Sequence, residues 1–198
     1  MRDDVRSRIL AASLELLNEG GVGALSMREV ARRAGVSHQA PYHHFADREA
    51  ILAELVKDGF SQLHAYEARA SEQSPPGAER ITAIGIAYVS FALDQPALFQ
   101  LMFRRELVEL QKFPQTEEIA DEAFNVPHAA VAEACGKSMD ACMPEMLACW
   151  SMVHGLATLI LEGKLDHQLG PGREARDACV REVMSLYSRQ RYGEHSKT

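Results

Sequence analysis

The sequence predicts an all-α fold, and three observations carry that prediction. Apolar residues recur at three- and four-residue spacing through most of the chain. No stretch alternates apolar and polar residues as a half-buried strand does. Glycine and proline mostly separate the periodic stretches, at Gly20-Gly21, Gly35, the SEQSPPG segment (71–77), Gly163 and the GPG segment (170–172). About nine helices are expected.

Taken in order, Val5, Ile9, Ala12 and Leu16 form the stripe of a first helix, widened by Leu10, Leu14 and Leu17. Asp3 or Asp4 is placed to cap it and Gly20-Gly21 to stop it. Ser26 caps a short second helix with Met27, Val30, Ala31 and Ala34 on one face, and Gly35 suits its left-handed end. Ser37 caps a third short helix, and Asp47 a fourth reaching about residue 70. A helix over 78–94 presents Ile81, Ile84, Tyr88 and Phe91; Gln95-Pro96 breaks it before a helix bearing Leu98, Leu101, Met102 and Leu107. Residues 116–135 read as helix, with Pro127 expected to kink or divide them. Pro144 to Glu162 forms another helix, and the last reaches Arg191, leaving a frayed tail (192–198).

Composition narrows the function classes. With 198 residues, 46% apolar and 25% charged, the chain has ample material for a core. No apolar run approaches the roughly 20 residues that cross a bilayer, and the charged start MRDDVRSR has no apolar stretch behind it. A cytoplasmic protein without a membrane partner is expected. Cys135, Cys142, Cys149 and Cys179 lack zinc spacing and read as buried thiols of a reducing compartment. The first three recur every seventh residue, but Gly136 and Pro144 interrupt any shared helical face. No phosphate loop, nucleophile elbow or paired metal ligands occur, and Cys149 and His154, five apart on one helix, face different directions. Neither an enzyme, a metal nor a cofactor is expected.

Charge is unevenly spread. Residues 1–57 hold eight basic and eight acidic side chains, while 58–198 hold 13 basic and 20 acidic, so the whole net charge of −7 sits in the later part. Arg28, Arg32, Arg33 and Arg48 face only Glu29 and Asp47 between residues 26 and 48. A locally basic head on an acidic body suits a protein touching phosphates at one end.

The segment SMREVARRAGVSHQAPYHHF (26–45) is the most informative. Two short helices around Ala34-Gly35-Val36-Ser37 have the length and turn chemistry of a helix-turn-helix. Pro41 falls in the first turn after Ser37, where only the bond to the Ser37 carbonyl is lost. His38, Gln39, Tyr42 and His43 line one side of the third helix, and Val36 and Phe45 anchor the other. Such a short polar element suits the DNA major groove.

From Arg6 to about Leu63 the chain resembles the DNA-binding domain of the TetR (tetracycline-repressor) family, including its Tyr-x-His-Phe followed by a basic residue (Tyr42, His44, Phe45, Arg48). The resemblance implies a helix-turn-helix domain over 1–50 and a ligand-binding and dimerisation domain over 51–198. It implies that Ser26, Tyr42, His44 and Arg48 hold phosphates, while Arg28, His38, Gln39 and Ala40 reach base edges. Ser37 and His43 complete the DNA-facing set. WSMVHGLATLILEG (150–163) resembles the Trp-x-x-x-His-Gly signature of one TetR C-terminal subgroup, and ALFQLMFRREL (97–107) its sixth-helix region.

The resemblance further implies a homodimer on a palindromic double-stranded operator, released by a small-molecule effector. The last two helices are expected to form the dimer interface through Leu156, Leu159, Ile160, Cys179, Val183, Leu186 and Tyr187. A mainly apolar effector is expected against Phe91, Phe99, Met102, Phe103, Met146, Trp150 and His154, where methionines beside aromatics suit a plastic cavity. The alternative is a DNA-binding regulator without an effector, or one sensing oxidation through Cys142 or Cys149.

Overall fold

The computed structural model describes residues 2–169 and 172–193. These form α1 (Arg2–Ala24), α2 (Met27–Arg33), α3 (Arg48–Glu72), α4 (Ala78–Asp94), α5 (Pro96–Met102), α6 (Pro114–Cys135), α7 (Met143–Leu161), α8 (Asp166–Leu169) and α9 (Arg173–Tyr192). No strand occurs among the described residues. Gly170, Pro171 and residues 194–198 of the expected GPG break and frayed tail lie outside them.

Local chemistry explains most boundaries. The Ser26 hydroxyl accepts from the Glu29 N–H at 3.2 Å, and Asp47 Oδ1 accepts from the Ala50 N–H at 2.9 Å, as caps should. Asp3 and Asp4 lie inside α1, which already begins at Arg2, so neither is its cap. Gly21 breaks α1 at φ 64°, after which the chain turns once more to Ala24. Pro127 does not divide α6. Leu107 lies beyond α5, which ends at Met102.

The chain forms two compact units, and α3 contributes to both. The first comprises Met1–Ser61 with Gln95–Ala120. Ile9, Ala12, Leu16 and Leu17 of α1 are buried there with Val30, Phe45, Ile51, Leu52 and Val56. Residues 95–120 join this unit, whereas the resemblance groups them with the later domain. Phe103 packs edge-on to Phe60 at 5.9 Å, and a Cβ at Gly59 would come within 2.6 Å of the Met102 sulfur. The Glu109 N–H donates to Glu49 Oε1 at 3.1 Å.

The second unit comprises Gln62–Asp94 and Asp121–Thr198. Its centre is α4, whose expected face, Ile81, Ile84, Tyr88 and Phe91, is buried. Sheltering one such side chain stabilises by about 1.5–3 kcal/mol. Helices α7 and α9 pack on α4, and Gly85 lets α9 approach: a Cβ there would meet the Met184 terminal methyl at 2.0 Å. The segment Asp140–Leu161 is, by length and composition, long and apolar enough to cross a bilayer, which corrects the sequence expectation. It instead turns Met146, Cys149, Val153, Ala157 and Ile160 into the core of this unit.

Candidate nucleic-acid interface and ligand cavity

The turn after α2 is built by the backbone and one arginine. Val36 N–H donates to the Ala31 carbonyl at 3.0 Å, and Gly35 takes φ 63°, which a side-chain-bearing residue adopts only under strain. The Arg8 guanidinium donates to the Ala34 and Gly35 carbonyls at 2.5 and 3.1 Å. Nothing in the sequence around Arg8 signals this clamp, because its partners lie 26 and 27 residues away.

The segment after the turn is not the expected short α-helix. Ser37 carbonyl accepts from Ala40 N–H at 2.9 Å and Ala40 carbonyl from His43 N–H at 3.1 Å, so the segment proceeds by three-residue turns and a 3-10 helix over Pro41–His43. Pro41 has no N–H to offer the Ser37 carbonyl, which takes the Ala40 N–H one residue earlier and tightens the coil. Phe45 and Pro41 are buried and seat it, while the Arg6 guanidinium lies 5.3 Å from the centre of the Phe45 ring.

This segment holds most of the expected DNA-facing side chains at the surface. Ser37, His38, Gln39, Tyr42 and His43 are exposed, Tyr42 to 49%, and Ala40 and His44 are partly buried. His38 and Tyr42 place their rings 6.2 Å apart. Ser26 and Arg28 are exposed on α2. Arg32 is tied to Glu29 at 2.9 Å, and Arg33 to Glu19 at 2.6 Å, which holds the Glu19 carboxyl below its usual range. Among the described residues Arg28 makes no ion pair, so its charge is available to a ligand. Arg48 is placed differently from the rest. Its Nε donates to the Leu25 carbonyl at 2.6 Å and its Nη2 to the Val22 carbonyl, so it caps the end of α1.

The second unit contains a void lined by Glu67 of α3, by Ile81, Ile84, Gly85 and Tyr88 of α4, and by residues of α6 and α7. The cavity volume is about 20 Å³, room for roughly one water molecule. Met146 and Trp150 belong to the wall. The Tyr88 hydroxyl lies 2.7 Å from His154 Nδ1 and accepts from Trp150 Nε1 at 3.4 Å. Burial holds the His154 imidazole below its usual pKa, so its neutral form prevails at neutral pH.

The other expected effector contacts lie elsewhere. Phe91 is fully buried against Tyr66, ring centres 5.7 Å apart. Phe99 packs on the half-buried Phe103 at 5.1 Å, and Phe99 and Met102 are buried in the first unit. None of these four lines the void. Glu67 does, and the sequence reading missed it. The signal was available: Leu52, Val56, Phe60 and Leu63 repeat at helical spacing on the buried face of α3, and Glu67 is the next position.

On the expected dimer helices, Leu159 and Leu186 are 44% and 54% exposed. Leu156, Cys179, Val183 and Tyr187 are partly buried, while Ile160 is only 4% exposed and is turned into its own unit. Cys135 of α6, Cys149 of α7 and Cys142 in the short 3-10 turn between them (Asp140–Cys142) meet in one cluster with Tyr187 and Tyr192. Burial pushes all three thiols up, Cys149 to about 11, so little thiolate exists for oxidation at neutral pH.

Comparison with known proteins gives two family matches. Residues 9–55 match the family of bacterial regulatory proteins described as tetR, and residues 81–185 match the tetracyclin repressor-like C-terminal domain. The chain is 38% identical over 58 residues to the class A tetracycline repressor protein from transposon 1721 of Escherichia coli, covering 29% of this chain and 27% of that one. It is 30% identical over 90 residues to the HTH-type transcriptional regulator BetI of Rhizobium meliloti, covering 46% of this chain and 43% of that protein. These matches span less than half the length of either relative. A solved structure of a protein of unknown function from Rhodococcus sp. RHA1 superposes with TM-score 0.72 at 31% identity, over 93% of this chain and 95% of that one.

Proposed function

Because the chain belongs to the TetR family of bacterial regulatory proteins, we propose that it is a homodimeric cytoplasmic repressor that leaves a palindromic operator when a small, mainly apolar effector occupies its second unit. The observation that carries the DNA-binding part is the exposed row Ser37, His38, Gln39, Tyr42 and His43 beside the unpaired Arg28. These supply donors and acceptors suited to base edges and phosphates. In this reading Tyr42, Ser26 and His44 hold phosphates, while Arg28, His38, Gln39 and Ala40 meet bases. Arg48 acts by fixing the end of α1, not by reaching the duplex. Two-fold symmetry supplies the second half-site, which so small a reading surface needs for selectivity.

Support for an effector site is the void beside Met146 and Trp150, joined to His154 through Tyr88. An effector larger than water must part its walls, which include the flexible Met146. The effector releases DNA only if it prefers a dimer whose reading segments no longer match the groove repeat of about 34 Å. Selection from random DNA with the full chain tests the reading. It should enrich an inverted repeat; enrichment of no sequence, or of an asymmetric one, refutes the homodimeric operator.

A further inference from the structure

The void of the second unit has one chemical feature that its apolar lining does not explain. Glu67 is 2% exposed, and its Oε2 has no hydrogen-bond partner. The other polar groups of the wall are already committed: the Tyr88 hydroxyl to His154 and Trp150, and the Cys149 thiol toward Tyr187. No lysine, arginine or histidine lines the void. One oxygen of a carboxyl enclosed by Ile81, Ile84, Val131 and Met146 therefore lacks a donor, and no cation of the wall offers the group a countercharge, an expensive arrangement in a folded core. Burial alone drives it toward its protonated form.

We propose that this void receives an amphipathic organic amine, an apolar body bearing one N–H cation that pairs with Glu67. The inference rests on reading the void as the effector site and names the chemistry of its ligand. A single water would satisfy one oxygen but bring no charge. An ammonium supplies both the donor and the countercharge, in a charge-assisted bond stronger than a neutral one. Trp150 and Tyr88 belong to the same wall, and aromatic rings attract a cation placed over their faces. An anionic ligand would meet an ionised Glu67 as a like charge, and beside the protonated form it would bring its own uncompensated charge into a wall that holds no cation.

Trp150 is the sole tryptophan of the chain and belongs to the wall, so its fluorescence reports occupancy directly. Three probes of matched body should be titrated into the full-length protein: phenylbutylamine, phenylbutanol and phenylbutyrate. The expected result is saturable perturbation by the amine, binding weaker by about tenfold or more for the alcohol, and none for the carboxylate. Glu67→Gln should abolish the preference for amine over alcohol, and Glu67→Asp should keep part of it. Equal binding of amine and alcohol to the wild-type protein, or an intact preference in Glu67→Gln, overturns the inference. Operator affinity measured in parallel separates the two readings. Release by the alcohol without amine preference sinks the inference and leaves the effector reading standing. Glu67-dependent amine binding that leaves operator affinity unchanged upholds the inference and refutes the effector role. If no probe perturbs Trp150, both fall.

Discussion

Arginines of the first unit carry identical charges but perform different tasks, decided by what lies within reach. Arg28 points to solvent without an ion pair, whereas Arg48 donates to the Val22 and Leu25 carbonyls. Arg28→Ala should therefore weaken operator binding with unchanged thermal stability. If it meets a phosphate, the slope of log affinity against log salt drops by about one; if it meets a base, selectivity relaxes instead. Arg48→Ala should lower stability by about 1–3 kcal/mol, because two carbonyls lose their donor. Anisotropy titrations at several salt concentrations, paired with thermal melts, separate the two; identical behaviour contradicts the division. Glu67 makes a further prediction. Burial raises its folded pKa above the unfolded value of about 4.3, so the folded state holds a proton that the unfolded state has released. Its favourable contribution is complete below that value and is lost as pH rises through the folded pKa. Glu67→Gln, which cannot titrate, should gain stability over wild type progressively above about pH 4.3, by at most about 1.4 kcal/mol per pH unit. Urea denaturation from acid to mildly alkaline pH checks this; a constant difference would mean the carboxyl is not desolvated.

At the level of elements, the segment proposed to face DNA shows how one residue type changes a helix while leaving its exposed side chains in place. Pro41 converts an expected α-turn into a 3-10 turn yet leaves His38 and Tyr42 on one exposed side. Helices α7 and α9 show the opposite case, residues similar in kind but different in placement. Leu186 is exposed whereas Ile160 is buried against its own unit. Under the proposed homodimer, Leu186→Glu should shift sedimentation toward monomer while the subunit stays folded. Ile160→Glu should lower stability first, because it places an uncompensated charge in a core. A fully dimeric Leu186→Glu protein would place the interface on another surface.

For the whole molecule, the separation of charge bears on the proposed encounter with DNA. The net charge of −7 lies entirely in residues 58–198, and the neutral segment before it holds the exposed reading row. Under the proposed homodimer, few phosphate contacts per protomer would make affinity depend on engaging two half-sites together. A full palindrome should bind about 100-fold or more tighter than an isolated half-site, the usual gain from linked contacts. Titration of both duplexes under one salt condition provides the measurement. Comparable affinities would place recognition in a single protomer.

Features that depend on near neighbours were legible along the chain. Ser26 and Asp47 cap α2 and α3 because each reaches an N–H three residues on, and the Ile81–Phe91 face of α4 follows from helical spacing. The exposed row His38, Gln39, Tyr42 and His43 was legible for the same reason, being polar residues on a short capped segment. Tertiary structure alone decided the rest. Residues 95–120 join the first unit because Phe103 and Met102 find Phe60 and Gly59, partners over 40 residues away. Phe99 and Phe103, read as effector contacts, pack on each other there, since an apolar ring is the same in sequence whether it lines a void or fills one. Arg8 and Arg48 look like any basic residue until distant carbonyls come within 3.1 Å. Glu67 is the sharpest case: its position continues the apolar face of α3, but only packing by α4, α6 and α7 removes water from the carboxyl. Local bonds are set by spacing along the chain; desolvation is set by what folds over it.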